Sequence, residues 1–221
     1  MVDYTRPAKS SAGAPSPSGG GVSMSKVTLT KAAPSVSLTK GRGAGGQMRI
    51  NLNWNAGAQK RGLFSKTPAV DLDLACLWET TDGRKGVVQA LGNAFGSLDR
   101  PPYVFLDGDD RSGKVSGGEN LIVNLDHLDR IRRVLVFAYI YEGAPNWAAA
   151  NGVVTLYPQG AAPIEVRLDE HAQGARSCAI ALLTNSGGAL TVQREIRYLG
   201  GVQRDLDGAS GWGLDWTSGR K

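Results

Sequence analysis

From about residue 26 onward the chain is a series of short stretches in which apolar and polar residues alternate, each ended by glycine, asparagine, aspartate or proline. Alternation with a period of two places every second side chain on one face of a strand. Many short strands of this kind, without long helical periodicity, are typical of an all-β sandwich or barrel. This pattern constrains the fold more than any other feature of the sequence.

Twelve segments fit a strand: 26–31, 36–40, 48–54, 70–78, 87–91, 103–106, 120–125, 133–141, 152–157, 164–168, 177–183 and 190–198. The two most continuously apolar ones, 133–141 and 177–183, are expected at the centre of the sandwich, because only strands covered on both faces dispense with alternation. The motif VTLTK of 27–31 recurs as VSLTK at 36–40. The spacing predicts two adjacent strands with Pro34 in the turn between them.

Residues 1–25 are rich in serine, glycine, proline and alanine and contain few large apolar side chains. Such a segment cannot bury enough surface to offset the entropy lost on ordering, so we expect a flexible arm. It also lacks the apolar core of a secretory signal, and the longest apolar run elsewhere, 134–141, is too short to span a bilayer. The sequence therefore predicts a cytoplasmic protein without a transmembrane segment.

The formal net charge of +5 is concentrated at the start of the chain. Residues 1–40 carry +4 of it, which leaves the remainder nearly neutral. A nucleic-acid-binding domain concentrates positive charge on one face, whereas here only Arg130, Arg132 and Arg133 cluster, and these are interpreted as a solvated edge. No specific nucleic-acid partner is expected.

Residues suited to catalysis are few. Cys76 and Cys178 lie in apolar segments and are interpreted as buried hydrophobic residues rather than as a disulfide or a metal site. His127 and His171 lie in polar, aspartate-containing stretches and are expected on the surface. Because no serine occupies a GxSxG elbow and neither cysteine has a base beside it, the sequence predicts a protein that is not an enzyme.

Two glycine-containing segments match nucleotide-binding motifs only in part. Residues 41–46 (GRGAGG) fit GxGxxG, but they precede a predicted strand rather than a helix, so they are interpreted as a turn. Residues 108–114 (GDDRSGK) fit a phosphate-binding loop until Val115, which stands where the magnesium-binding hydroxyl belongs. The same region is not an EF-hand either, because Arg111 and Ser112 occupy a ligand position and the turn glycine position.

Asp71 and Asp73 lie two residues apart in the otherwise apolar segment VDLDL. In a strand both carboxylates lie on one face, and Leu72 and Leu74 lie on the other. Like charges so close together destabilise the fold unless a counter-ion or water screens them. The pair therefore indicates either a cation site or a solvent-exposed strand face.

Several of these segments together resemble the TerD family of bacterial tellurite-resistance and stress-response proteins. The segments that carry the resemblance are 36–40, 51–54, the acidic strand DLDLACLW, GRKGVVQALGNAFGSLD, the loop GDDRSGKVSGGE leading into 121–125, and GWGLDW near the C-terminus. They span residues 26–216 and are most similar to the TerA-type members. The resemblance implies an all-β fold, a β-sandwich of two mainly antiparallel sheets over residues 26–221.

The resemblance also implies a calcium site made by the acidic strand and the acidic loop. The positions that match the family's ligands are Asp71, Asp73, Asp109, Asp110, Gly113 and Glu119. The family's third strand aspartate is Ala75 here, its further loop aspartates fall near Ser116, Gly117 and Gly118, and the loop is one residue shorter. The site is thus depleted relative to the family.

Two functions follow from the resemblance. The first is a non-enzymatic calcium-binding scaffold in a tellurite-resistance and stress-response system, with other proteins of that system, membrane-associated ones among them, as partners. The second is a divergent member that has lost tight metal binding and acts as a protein-protein interaction module.

Overall fold

The structure is a computed structural model that describes residues 25–54, 70–107, 118–143 and 147–216. The predicted flexible arm lies outside the described residues except for Ser25. The same is true of most of the acidic loop, residues 108–117.

Within the described ranges the chain forms β-strands and a few short helical segments. The strands are β1 Val27–Thr28, β2 Ser35–Leu38, β3 Gln47–Asn53, β4 Asp71–Thr80, β5 Lys85–Val88, β6 Gly96–Ser97, β7 Val104–Asp107, β8 Glu119–Asn124, β9 Ile131–Glu142, β10 Gly152–Tyr157, β11 Ile164–Leu168, β12 Ser177–Ser186 and β13 Ala189–Leu199. The α-helices are α1 Trp147–Ala150 and α2 Gln203–Ser210, and 3-10 turns occupy Leu91–Asn93 and Leu125–Arg130. Neither α-helix is long and apolar enough to cross a membrane.

The strands form two sheets that pack face to face. One has seven strands in the order β1-β11-β10-β3-β8-β7-β6, and the other has six in the order β2-β13-β12-β9-β4-β5. All pairings are antiparallel except that of β1 with β11. Alternate apolar side chains from both sheets fill the space between them, among them Ile50 and Leu52 of β3 and Leu72 and Leu74 of β4. The predicted all-β sandwich is confirmed.

The strand pattern was readable from the sequence in most places. Each of the twelve predicted segments overlaps an observed strand, and two of them, 152–157 and 164–168, have the predicted bounds. As predicted, the two most apolar segments are the central strands β9 and β12 of the six-stranded sheet. The glycine-rich segment 41–46 is followed by strand β3 rather than by a helix, as the turn interpretation requires.

The prediction made from the VTLTK repeat is wrong. Strand β1 pairs with β11 in the seven-stranded sheet, whereas β2 pairs with β13 in the six-stranded sheet. The chain crosses between the sheets in the short connection that contains Pro34, whose carbonyl accepts a hydrogen bond from the Arg194 backbone N–H at 2.7 Å. Each copy of the motif thus alternates as a strand does, but its pairing partner comes from a distant part of the chain.

A second apolar cluster covers the outer face of the six-stranded sheet. It is formed by side chains of β4, β9 and β12, including Leu77 and Phe137, against Leu206 of α2 and Trp212. We call residues 203–216 the C-terminal clasp. Asp207 ties the clasp together, since its carboxylate accepts hydrogen bonds from the Gly213 backbone at 2.6 Å and from the Trp216 indole N–H at 2.6 Å. The GWGLDW motif therefore serves as a cover for this face of the sheet.

The interpretation of the arginine cluster as a solvated edge holds for Arg130 and Arg132, whose side chains are 66% and 64% exposed, and is wrong for Arg133, whose side chain is 26% exposed. Arg132 and Arg133 contact the two carboxylate oxygens of Glu79 at 2.8 and 2.6 Å. Only 2% of the Glu79 side chain is exposed. Arg130 pairs with Asp129 on the surface, so the cluster consists of one exposed pair and one buried carboxylate held by two cations. Sequence spacing gave no sign of Glu79, which lies on the neighbouring strand β4.

Glu79→Gln is expected to lower the free energy of unfolding at neutral pH by about 2 kcal/mol, because a buried hydrogen bond to a charged group is lost. Burial alone would raise the pKa of Glu79, but the hydrogen bond and charge of Arg133, together with the charges of Arg132 and Lys85, outweigh burial and lower the pKa below its usual 4.5. The stabilisation is therefore present above pH 4.5 and is lost as the pH falls through the pKa of the folded state.

Urea unfolding of both proteins at neutral and at acid pH measures this difference. The difference in free energy of unfolding between wild type and variant should be largest at pH 7 and should shrink in acid. Asp129→Asn, at the exposed pair, is the control and should change stability by less than about 1 kcal/mol. A gap that stays constant from pH 7 into acid would contradict the argument.

Candidate metal centre

The two aspartates of β4 are buried, not exposed. Asp71 is 7% exposed and Asp73 is 1% exposed, while Leu72 and Leu74 on the opposite face are 0% exposed and belong to the inter-sheet core. The predicted alternation is confirmed, and the alternative of a solvent-exposed strand face is wrong. Asp73 lies opposite Tyr139 of β9, which is itself 2% exposed.

Glu119 of the other sheet reaches the backbone of the acidic strand. It begins β8, and its side chain, 2% exposed, lies on the buried face of that strand together with Leu121 and Val123. Its Oε2 atom accepts a hydrogen bond from the Leu74 backbone N–H at 2.5 Å. Strand β5 pairs with β4 only from Cys76 to Glu79, so the edge of β4 is open at Leu74. The Glu119 side chain reaches this open edge, and the contact therefore joins the two sheets.

We call this part of the molecule the acidic end of the sandwich, defined by Asp71, Asp73, Asp107, Glu119 and Glu142. In the six-stranded sheet Asp71 is opposite Glu142, and in the seven-stranded sheet Asp107 is opposite Asn120, the neighbour of Glu119. The chain leaves β7 and enters β8 here, so the acidic loop of the sequence is attached at this end. Strand β4 also begins at this end.

Three of the predicted ligands, Asp109, Asp110 and Gly113, lie outside the described residues. Their part in a site stays a prediction. Among the residues that the structure does describe, no three histidine, cysteine, aspartate or glutamate side chains converge closely enough to hold a metal ion. Asp71, Asp73 and Glu119 would therefore need further ligands to complete a coordination sphere.

The donor types at the acidic end fit calcium. Carboxylates and backbone carbonyls are the oxygen ligands that Ca²⁺ takes, usually six to eight of them in flexible geometry. Buried carboxylates of this kind require charge compensation, and a divalent cation supplies it where the geometry allows. If calcium binds, Asp71, Asp73 and Glu119 are the described residues that would hold it.

The structure adds polar residues that sequence reasoning missed. Asn51 of β3, 8% exposed, donates hydrogen bonds from its amide to the backbone carbonyl of Glu119 at 3.3 Å and to Oδ1 of Asn120 at 3.0 Å. The indole N–H of Trp54 donates to the carbonyl of Val70 at 3.0 Å, directly before the acidic strand. Asn51 occupies one of the polar positions of an alternating strand, so the alternation itself did not distinguish it, although asparagine is depleted in strands.

The cysteines and histidines show no catalytic arrangement in the described part of the chain. Cys76 and Cys178 are free and buried, as predicted, and burial raises the pKa of both thiols, which favours the unreactive protonated form. His171 is exposed. His127 is half-buried and stacks on Tyr103 with ring centroids 4.4 Å apart, which is a packing contact.

The fold and the acidic end together define a class: a two-sheet antiparallel β-sandwich that buries carboxylates from both sheets at one end.

No family model matches the chain. It is 45% identical over 172 residues to the tellurium resistance protein TerA of an Alcaligenes species, a match that covers 76% of this chain and 50% of that protein. The chain thus spans about half the length of this curated relative.

Two solved structures share the fold. The homologue of the telluride resistance protein TerD, SCO6318 from Streptomyces coelicolor A3(2), superposes with a TM-score of 0.54 at 23% identity, covering 73% of this chain and 94% of that one. The protein SAV2460, described as of unknown function, superposes with a TM-score of 0.56 at 19% identity, covering 74% and 95%. The chain belongs to the TerD family of tellurium-resistance proteins, as the sequence resemblance indicated.

Proposed function

We propose that this protein is a non-enzymatic calcium-binding scaffold of a bacterial tellurium-resistance and stress-response system. The observation that carries the proposal is the contact between Glu119 and the Leu74 backbone, which joins the acidic strand to the start of β8 across the two sheets. Without it, the two halves of the predicted site would be unrelated parts of the sequence. The ligand set proposed is Asp71, Asp73, Asp109, Asp110, Gly113 and Glu119.

A scaffold role is supported by how the sandwich is built. Both faces of the six-stranded sheet are covered, one by the other sheet and one by the C-terminal clasp, so the acidic end is attached to a well-packed framework. An ion bound there would link the acidic strand to the acidic loop. We propose that the partners are other proteins of the same resistance system, membrane-associated ones among them, and that the protein acts in the cytoplasm.

One observation favours the second candidate function, a metal-free interaction module. Ala75 stands where the family's third strand aspartate would be, and its side chain packs in the outer apolar cluster with Leu77. Together with the incomplete set of described ligands, this points to a weaker site than that of a typical member. Calcium titration separates the two candidates.

Calcium is expected to stabilise the protein and to bind more tightly than magnesium. At a hundredfold excess over the dissociation constant the gain is about 2.7 kcal/mol, which a thermal-shift assay resolves. Magnesium should give a smaller shift, because it requires compact octahedral geometry and loses its water reluctantly. Isothermal titration calorimetry on the purified chain gives the affinity and the stoichiometry.

The double variant Asp71→Asn/Asp73→Asn should abolish the calcium shift, because it removes two of the carboxylates proposed to bind the ion. The matched control is Asp82→Asn/Asp129→Asn, which removes two carboxylates exposed by about half or more. It should leave the shift intact. A wild-type protein that shows no shift at millimolar calcium contradicts the calcium site and favours the interaction module.

A further inference from the structure

We propose that strand β3 and the residue that follows it, which supply none of the predicted ligands, position both halves of the calcium site through Asn51 and Trp54. This inference rests on the proposed function. Asn51 and Trp54 would affect metal affinity indirectly, by holding the backbone at Glu119 and beside Asp71. β3 neighbours β8 in the seven-stranded sheet and ends at the acidic end of the sandwich. Its end therefore lies close to both the start of β8 and the start of the acidic strand β4.

Asn51 holds the start of β8. Its amide nitrogen donates to the backbone carbonyl of Glu119 at 3.3 Å and to the side chain of Asn120 at 3.0 Å. Arg49, two residues earlier on the same face of β3, donates to the same Asn120 oxygen at 3.0 Å. These bonds fix the backbone of Glu119 from the outer side of the sheet while its carboxylate points inward to Leu74.

The backbone of β3 also limits how the acidic loop returns to the sheet. Gly118 has a φ of +59°, and a Cβ atom at this position would lie 2.1 Å from the carbonyl oxygen of Leu52. The chain entering β8 therefore passes in direct contact with the β3 backbone at the residue next to Asn51. This close approach leaves Glu119 little freedom to shift along the sheet.

Trp54 holds the start of the acidic strand in the same way. Its ring is 4% exposed and belongs to the inter-sheet core, and its indole N–H donates to the carbonyl of Val70 at 3.0 Å. The next residue is Asp71. Strand β3 and the residue after it thus fix both Val70, the residue before Asp71, and the backbone of Glu119. Asp71 begins the acidic strand in one sheet, and Glu119 begins β8 in the other.

Such contacts should determine affinity because a cation site needs its ligands held to within a fraction of an ångström. Removing a group that orients a ligand typically weakens metal binding about 10- to 100-fold. Asn51→Leu keeps the approximate volume of the side chain and removes the amide. Trp54→Phe keeps an aromatic ring in the core and removes the N–H.

The test is calcium titration of the two variants, with the melting temperature of the ion-free protein measured in parallel. Asn51→Leu is expected to weaken calcium binding about tenfold or more, and Trp54→Phe should weaken it in the same direction. The matched control is Asn185→Leu. The Asn185 amide also donates to two backbone carbonyls, those of Leu128 at 2.7 Å and Ile131 at 3.0 Å, but at the opposite end of the sandwich.

The control separates positioning from general destabilisation. Asn185→Leu should lower the melting temperature and leave the calcium dissociation constant unchanged. If Asn51→Leu binds calcium as tightly as wild type, the positioning role is wrong while the calcium site stands. If all three variants lose affinity in proportion to their loss of stability, the role is also wrong. If wild type itself binds no calcium, both the proposed site and this inference are overturned.

Discussion

Trp212→Ala is expected to lower the free energy of unfolding by about 3–5 kcal/mol, as for other large aromatic residues removed from a core. The Trp212 ring is 2% exposed and packs in the outer apolar cluster. Its indole N–H donates to the carbonyl of Trp78 at 3.1 Å, and the Arg133 guanidinium lies 3.8 Å from the ring centroid. The substitution removes the packing, the hydrogen bond and the cation-π contact together, and equilibrium unfolding in urea measures the sum.

Trp212→Phe separates these contributions. It keeps an aromatic ring beneath Arg133 but leaves the carbonyl of Trp78 without its indole donor, so the expected loss is smaller than for alanine, about 1–3 kcal/mol. If the alanine variant is as stable as wild type, the C-terminal clasp does not hold the outer face of the six-stranded sheet as described.

Gly118→Ala is expected to destabilise the protein by about 2–5 kcal/mol. The left-handed backbone at Gly118 costs an L-residue about 1–2 kcal/mol, and the forced shift away from the Leu52 carbonyl adds about 1–3 kcal/mol, as for overpacking elsewhere. The closest approach of the new Cβ atom is 2.1 Å to a backbone oxygen, which cannot turn away as a side chain can. Thermal unfolding of the ion-free protein gives the effect on stability, and calcium titration gives the effect on the site.

Gly83→Ala is the matched control for that prediction. Gly83 also has a positive φ, +84°, but an added Cβ meets no atom within 4 Å. It should show only the backbone cost of about 1–2 kcal/mol. If the two variants lose equal stability, the contact between the acidic loop exit and β3 is not tight.

The strands could be predicted because their signal is local. Alternation with a period of two is present in each short segment, and continuous apolar runs mark the two central strands β9 and β12. Which strands pair is not a local property. The two copies of the VTLTK repeat lie in different sheets, because β1 pairs with β11 and β2 pairs with β13. Glu79 becomes the partner of Arg132 and Arg133 only once β4 lies beside β9. Neither fact is encoded in spacing along the chain.

The site was predictable to the same degree. The common face of Asp71 and Asp73 follows from strand geometry, but their burial depends on neighbouring strands such as β9, which contributes Tyr139. The link from Glu119 to Leu74 spans 45 residues of sequence, and only the resemblance to the TerD family paired the acidic strand with the acidic loop in advance. Segment 51–54 contributed to the resemblance, but the contacts of Asn51 and Trp54 were not predicted, because the carbonyls of Glu119 and Val70 that they bind belong to other segments of the chain.

The position of the C-terminal clasp in the chain has a consequence for biosynthesis. Residues 203–216 follow every strand of the six-stranded sheet that they cover. A ribosome adds about 5–20 residues per second, so a nascent chain that has completed β9 exposes Leu135 and Phe137 for several seconds before Trp212 is made. An apolar sheet face exposed for that time promotes aggregation. This face of the sheet is therefore covered only once the clasp has been synthesised.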